Sequence, residues 1–151
     1  MDFDRNGLAL LDAGECRALL GSSAIGRLAL SVQALPVVLP VNFTLMPDGI
    51  LIRTGAGSKF DQACDHAVVG FEIDGYDTTS QTGWSVLVQG QARVLQAPAE
   101  LADAHSAGLT PWGNPSADTF IKVSLDIVTG RRLGGWYWPH GLPHAPHPEP
   151  H

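Results

Sequence analysis

Glycine and proline interrupt this chain so often that neither a long helix nor a long apolar segment fits between them. Seventeen glycines and eleven prolines occur among the 151 residues. Proline removes a backbone donor, and glycine adopts turn conformations easily, so both residues favour the ends of elements over their interiors. The spacing therefore predicts many short strands joined by turns, with only a few short helices.

The apolar periodicity assigns these short elements. Alternating or continuous apolar runs predict six strands, at residues 25–32, 36–46, 50–54, 67–73, 84–95 and 119–129. Helical patterns predict three helices, at 13–20, 58–65 and 98–107. Asp12 and Glu15 form a capping-box pattern at the first helix, and Pro47-Asp48-Gly49 indicates a hairpin turn. The polar stretch 74–83 is predicted to be a flexible loop.

Strands at this spacing, without regular helical crossovers, predict a mainly β fold with short helices, arranged as an antiparallel barrel. Residues 1–133 are expected to form this single domain. Residues 134–151 are rich in Trp, Pro and His and are expected to be a flexible tail. The tail histidines recur every three or four residues, but the prolines between them prevent the helix that would align them as metal ligands.

Composition and charge exclude several classes of function. Fifteen acidic residues against nine basic ones give a net charge of −6, which argues against non-specific nucleic-acid binding. No apolar run approaches the roughly 20 residues that cross a bilayer, and the N-terminus lacks a signal-peptide pattern. We therefore expect a cytoplasmic protein. Cys16 and Cys64 lack metal-type or redox-type spacing and are expected to be free thiols.

One stretch combines the features of a phosphate site. A predicted strand ends at Arg53-Thr54, a glycine-bearing turn follows, and a predicted helix begins at Ser58-Lys59. Free amides at a helix start favour anions, and the two cations and two hydroxyls add further donors. The alternative is a capped helix whose flanking basic residues are simply solvated. The Gly-x-x-x-x-Gly-Lys-Ser/Thr spacing of a nucleotide-binding P-loop is absent.

Five segments in order resemble the FMN-binding split barrels of the pyridoxamine 5'-phosphate oxidase-like family, particularly its small actinobacterial-type members. They are Gly26-Arg27-Leu28-Ala29, Pro40-Val41-Asn42-Phe43, Arg53-Thr54 with Gly57-Ser58-Lys59, Val69-Gly70-Phe71-Glu72-Ile73-Asp74, and Gly83-Trp84-Ser85-Val86-Leu87-Val88-Gln89-Gly90. The resemblance spans residues 8–132, which is most of the chain.

The resemblance implies a homodimeric split barrel with two FMN molecules at the interface of its subunits. Nine residues would contact the cofactor by position. Those expected at the phosphate are Arg53, Ser58 and Lys59, with Thr54 close by. Those expected along the isoalloxazine ring are Val41, Asn42 and Phe43. Those expected to approach the flavin from a neighbouring strand are Trp84 and Ser85.

Several of these residues also have a purely structural interpretation. Asn42 interrupts an apolar run, and its amide must find a partner, which is either the flavin or barrel backbone. Trp84 suits core or dimer-interface packing as well as flavin contact, and Phe43 suits the barrel core. Glu72 and Asp74 lie two residues apart on one strand face, where they act either as acid–base groups or as part of a solvated surface.

The resemblance implies an FMN-dependent oxidoreductase acting on a small-molecule substrate. The chain has no Gly-x-Gly-x-x-Gly element, so NAD(P)H would bind only transiently as a reductant. The basic C-terminal segment of full-length pyridoxamine phosphate oxidases is replaced here by the Trp/Pro/His tail. Two alternatives stay open: a reductase of the same fold that uses the deazaflavin F420, and a non-enzymatic dimer that binds or stores flavin.

Overall fold

A computed structural model of the chain describes residues 2–55, 58–111 and 116–134. These residues form eight strands and three helices. The strands are β1 (Ala9–Leu10), β2 (Ile25–Val32), β3 (Leu35–Met46), β4 (Gly49–Thr54), β5 (Val68–Asp77), β6 (Thr82–Val94), β7 (Thr119–Ser124) and β8 (Ile127–Leu133). The helices are α1 (Ala13–Ser22), α2 (Ser58–Cys64) and α3 (Pro98–Ser106).

The strands form an antiparallel barrel in which β6 takes part twice. The hydrogen-bonded order is β1-β8-β6-β5-β2-β3-β4-β7, and an additional pairing of β7 with β6 closes a ring. The first part of β6 pairs with β5 and β8, whereas its last residues, Ala92–Val94, pair with β7. Gly90 lies at this change of partner, and a Cβ there would overlap the Ser124 carbonyl. Only glycine allows the two strands to approach this closely.

Inward-facing residues of the ring form the main core. Leu28, Phe71, Val86 and Val88 are fully buried there, and Phe60 of α2 packs against the same cluster. A smaller cluster lies outside the ring, where α3 covers β4 and β7. Its buried members are Leu51, Leu95, Ala104 and Phe120.

The structure confirms the mainly β antiparallel fold with short helices. Helix α1 begins where it was expected, because Asp12 and Glu15 form the predicted capping box. The Asp12 carboxylate accepts a hydrogen bond from the Glu15 backbone N–H at 2.8 Å, and the Glu15 carboxylate accepts one from the Asp12 backbone N–H at 3.0 Å. Strands β2, β3 and β4 also lie within a residue of their predicted bounds.

Two predictions about the elements were wrong. Residues 74–83 are not a flexible loop, because β5 continues to Asp77 and β6 begins at Thr82, with paired backbone along both arms. Residues 119–129 are not one strand, because the chain turns after Ser124 and returns as β8. The short strand β1, which pairs with β8, was not predicted.

Over the ranges described, no helix is long and apolar enough to span a membrane. The predicted tail lies almost entirely outside those ranges. So do Ala56, Gly57 and the side chain of Ser58.

Candidate functional site

A cavity of about 470 Å³ lies against the outside of the barrel, beside strands β3 and β4. Its lining comes from β2, β3, β4 and the connection between α3 and β7. The lining residues are Ile25, Pro40, Val41, Asn42, Arg53, Thr54, Gly55, Pro111 and Ala117. This volume falls in the range of roughly 300–1,000 Å³ that is usual for small-molecule sites. Four residues predicted from the sequence to contact a cofactor therefore line one cavity.

Arg53 lines the cavity but is already held by protein groups. Its Nε donates to the Ala117 carbonyl at 2.8 Å, and Nη1 donates to the Leu109 carbonyl at 3.1 Å. Its Nη2 lies 3.4 Å from Asp118 Oδ1, and the guanidinium carbon lies 5.2 Å from the centre of the Phe120 ring. A guanidinium carries five donors, so these bonds leave some free for a ligand. Arg53 nevertheless has a structural role that the sequence did not indicate.

Asn42 also binds the connection between α3 and β7. It lies directly opposite Ile25 on the outer side of the sheet, and its side-chain amide donates to the Thr110 carbonyl. The structural alternative for Asn42, a bond to protein backbone, is therefore present in the structure. The amide oxygen remains available to a ligand in the cavity, since that bond uses only the nitrogen.

The proposed phosphate cradle lies at the end of β4. Thr54 is buried and lines the cavity, and α2 begins at Ser58, as the sequence predicted. Lys59 follows in the first turn of this helix, and its side chain is exposed. Among the residues that the structure describes, the Lys59 ammonium makes no ion pair or hydrogen bond. A free cation four residues after the cavity-lining Gly55 is available to an anionic group.

The remaining predicted contacts lie elsewhere within one chain. Phe43 is buried in the barrel, with its ring edge-on to Phe71 at 4.7 Å between centres. Trp84 and Ser85 lie on β6, three strands from β3 in the sheet order, which is roughly 14 Å at the usual strand spacing. The Trp84 ring covers Gly75 on β5, where a Cβ would approach it to 2.9 Å. These two β6 residues do not line the cavity of their own chain.

Sequence reasoning missed Ile25 and Pro40 of the cavity wall and, above all, the residues of the segment between α3 and β7. Pro111 and Ala117 line the cavity, while Leu109 and Thr110 supply carbonyl groups to the two polar side chains. No local pattern pointed to them, because the segment is irregular and contacts β3 and β4 across more than fifty residues of sequence.

An acidic cluster lies on the outer side of β5. Arg27 Nη1 is 2.9 Å from Asp74 Oδ2 and 3.5 Å from Glu72 Oε2. Burial and the neighbouring Asp74 together raise the pKa of Glu72 to about 7, although Arg27 partly opposes both effects. The prediction of a solvated barrel face is only partly right, since the Asp74 side chain is 18% exposed.

The potential metal-ligating side chains lie apart from one another, or at most in pairs, in the residues that the structure describes. No group of three His, Cys, Asp or Glu side chains comes together there as a metal site. Cys16 and Cys64 are both free and buried, and burial raises the pKa of the Cys64 thiol to about 11. Both thiols are therefore unreactive at neutral pH.

Comparison with known proteins agrees with the fold. The family model described as pyridoxamine 5'-phosphate oxidase matches residues 12–132. An uncharacterized protein of Mycobacterium tuberculosis, Rv0080, is 34% identical over 128 residues, covering 82% of this chain and 84% of its own length.

Two solved structures are similar over nearly their whole length. An FAD binding protein from Mycobacterium smegmatis has a TM-score of 0.71 and 36% identity, covering 83% of this chain and 98% of that one. A protein of unknown function from Corynebacterium diphtheriae has a TM-score of 0.71 and 29% identity, covering 84% and 98%. The chain belongs to the pyridoxamine 5'-phosphate oxidase-like family of split barrels.

Proposed function

We propose that this protein binds the FMN unit of a flavin nucleotide and uses it for oxidation or reduction of a small molecule. The observation that carries the proposal is the position of the cavity. It lies along β3 and reaches Gly55 after the end of β4, and α2 begins three residues later at Ser58, followed by the unpaired cation of Lys59. A ring over Val41 and Asn42 would therefore have its phosphate at Thr54, Ser58 and Lys59.

The residues present suit this ligand chemically. The cavity wall is mainly apolar, with polar groups at Asn42, Arg53 and Thr54, and planar cofactors usually bind in sites of this kind. The similar protein from Mycobacterium smegmatis is described as FAD binding. FAD contains the FMN unit with a further nucleotide attached, so one cradle can serve either molecule. FMN itself is our proposal for this chain.

The flavin would supply the hydride or electron chemistry, and the protein would supply binding, orientation and electrostatics. NAD(P)H would act as a transient reductant. Deazaflavin F420 has a phosphorylated tail that could use the same cradle, and a dimer that only stores flavin would use the same contacts. The first alternative differs from the proposal in the molecule that the isolated protein retains, and the second differs in that the loaded protein does not oxidise NADPH.

The test is the identity of the molecule that the protein retains. The protein is purified from its native source or loaded with a mixture of flavins, and the released ligand is identified by absorbance and mass spectrometry. FMN supports the proposal as stated. If the ligand is FAD or F420, the proposed phosphate cradle stands but the cofactor is not FMN. Absence of any bound flavin contradicts the proposal. Oxidation of NADPH by the loaded protein separates an enzyme from a storage protein.

We also propose that two copies of the chain pair through what we call the outer sheet face. This face is the outward side of β3, β2, β5, β6 and β8. Val38 and Ile127 lie in one row across it, with Leu87 and Ile25 nearby and Val68 at its edge. All five side chains are more than a third exposed. Several exposed apolar side chains on one face favour burial against a partner.

A second copy is the partner that this arrangement fits best. Trp84 and Ser85 are too far from the cavity of their own chain. Ser85 lies on the outer sheet face opposite Asp74, so a symmetric partner would bring its own Ser85 towards the cavity, whereas Trp84 packs against the barrel core. The cofactor would then lie between the subunits. With both cysteines free and buried, the protein also suits the reducing cytoplasm, which is the location we propose.

The dimer predicts a mass near twice the 16.0 kDa of one chain by light scattering. Val38→Asp should reduce the mass towards that of one chain, because it places a charge in the proposed interface. Since Val38 is 61% exposed, the substitution should spare the barrel itself. Ala18→Asp, on the exposed side of α1, is the matched control and should leave the mass unchanged. A parent protein of single-chain mass would contradict the proposed dimer.

A further inference from the structure

The outer sheet face has a net negative charge at its centre as well as its apolar residues. Arg27 lies directly opposite Glu72, and Glu72 lies directly opposite Leu87 on β6. Asp74 is next on the same side of β5 and takes the shorter contact with Arg27, at 2.9 Å against 3.5 Å for Glu72. One guanidinium thus serves two carboxyl groups, and the proposed interface surrounds all three.

The neighbouring strands provide no second, unpaired cation for the two carboxyl groups of Glu72 and Asp74. On β3, the residue opposite Arg27 is Pro40, and on β6 the residues opposite Glu72 and Asp74 are Leu87 and Ser85. Arg131 lies beyond Ser85 on β8, but its Nε is 2.9 Å from Asp4 Oδ2. With Glu72 ionised, the cluster of Arg27, Glu72 and Asp74 has a net charge of −1; with Glu72 protonated it is neutral.

We infer that association of two copies through the outer sheet face is coupled to protonation of Glu72, so that the dimer tightens as the pH falls. The inference rests on the proposed dimer. Two ionised clusters would bring two arginines and four carboxylates into one interface, an excess of two negative charges. Removing water from this surface also disfavours the ionised form of each carboxyl group. Both effects act in the same direction.

The pH range over which the dimer weakens follows from the pKa of Glu72 in the single chain. Burial and the neighbouring Asp74 already raise this pKa to about 7 before any partner covers Glu72. Further burial in the dimer raises this pKa again, so the dimer binds more protons than two separate chains. Dimerisation is then strongest below pH 7 and weakens as the pH rises through 7 towards 8. At most one proton is taken up per subunit.

The test is the dimer dissociation constant as a function of pH, measured by sedimentation equilibrium between pH 6 and 8.5. For the parent, we expect the constant to rise by about tenfold or more between pH 6 and 8. Glu72→Gln, a neutral side chain of the same shape, should remove most of that dependence and associate more tightly than the parent at pH 8. Glu100→Gln, which breaks an ion pair on α3 instead, should behave like the parent.

A second variant keeps the inference testable if Glu72→Gln folds poorly. Asp74→Asn removes the neighbouring negative charge, so it should shift the midpoint of the pH dependence to lower pH. A parent that dimerises with a constant independent of pH overturns the inference and leaves the flavin and dimer proposals intact. An equal pH dependence of the dissociation constant in Glu72→Gln and the parent also overturns the inference and leaves both proposals intact. A parent that is a single chain at pH 6 overturns the inference together with the dimer, and flavin binding is then judged separately.

Discussion

Arg53 at the end of β4 and Lys59 at the start of α2 are cations six residues apart in the chain, and the fold uses them in different ways. The Arg53 side chain is 21% exposed and holds two backbone carbonyl groups of the segment that precedes β7. Lys59 is exposed in the first turn of α2 and has no partner among the described residues. A substitution at Arg53 is therefore expected to affect the fold, whereas one at Lys59 is expected to affect mainly the binding of the proposed ligand.

Arg53→Ala should lower the free energy of unfolding by about 1–3 kcal/mol, because the Leu109 and Ala117 carbonyl groups would lose a charged donor. Arg53→Lys should recover only part of this loss, since an ammonium cannot reproduce the fork of the guanidinium. Urea unfolding monitored by circular dichroism measures both. Arg17→Ala, an exposed substitution on α1, provides the control. Unchanged stability in Arg53→Ala would mean that these bonds contribute little.

At the scale of elements, the β2–β3 turn is a point of local strain. Two residues, Gln33 and Ala34, connect the strands, and both have positive φ, at 50° and 65°. A two-residue turn of this kind matches the twist of the strands, but the left-handed conformation suits Asn and Gly far better than Gln and Ala. The strain is a cost that the paired strands must offset.

Replacing Gln33-Ala34 by Asn-Gly should raise the free energy of unfolding by about 1 kcal/mol, since both new residues adopt positive φ readily. Ala34→Val should do the opposite, because a β-branched side chain is poorly tolerated there. Both changes lie at the hairpin tip, so the comparison isolates the backbone. Urea midpoints measured for the two variants and the parent provide the test. Equal midpoints would show that the turn is not strained.

Comparing the predicted and observed strands shows which parts of the fold could be predicted from the sequence. Strands with buried faces, such as β2 and β4, were located closely, because their apolar pattern reports burial. The arms around Asp77 were missed, since polar residues there are extended by backbone pairing with β6 and not by a buried face. The break between β7 and β8 was missed because apolar residues continue through Leu125 and Ile127.

The site could be predicted only in part, for a related reason. The strand end at Arg53-Thr54 and the helix start at Ser58 have local signatures, so both could be located from the sequence, and the phosphate cradle between them stays a prediction. The bonds of Arg53 and Asn42 to the α3–β7 connection depend on contacts that are distant in the chain. The separation of Trp84 from the cavity depends on the strand order, which local patterns do not contain.

At the scale of the whole molecule, one ring of strands serves three purposes. Its inside forms the core, one part of its outside forms the cavity with α3 and the connection to β7, and the rest is the outer sheet face. Since β2 and β3 contribute to both outer regions, Ile25 and Pro40 border the cavity and also lie beside the proposed interface. Cofactor binding and association would therefore support each other.

The most direct test of the central claim is the affinity for FMN and for riboflavin, measured by flavin fluorescence in the parent and in Lys59→Ala. Charged hydrogen bonds contribute about 1.5–3 kcal/mol, and about 1.4 kcal/mol is a tenfold change in affinity. Lys59→Ala should therefore weaken FMN by about tenfold or more and leave riboflavin, which lacks the phosphate, unchanged. Arg17→Ala should affect neither ligand. If Lys59→Ala binds FMN as tightly as the parent, or loses FMN and riboflavin equally, Lys59 does not hold the phosphate of a flavin.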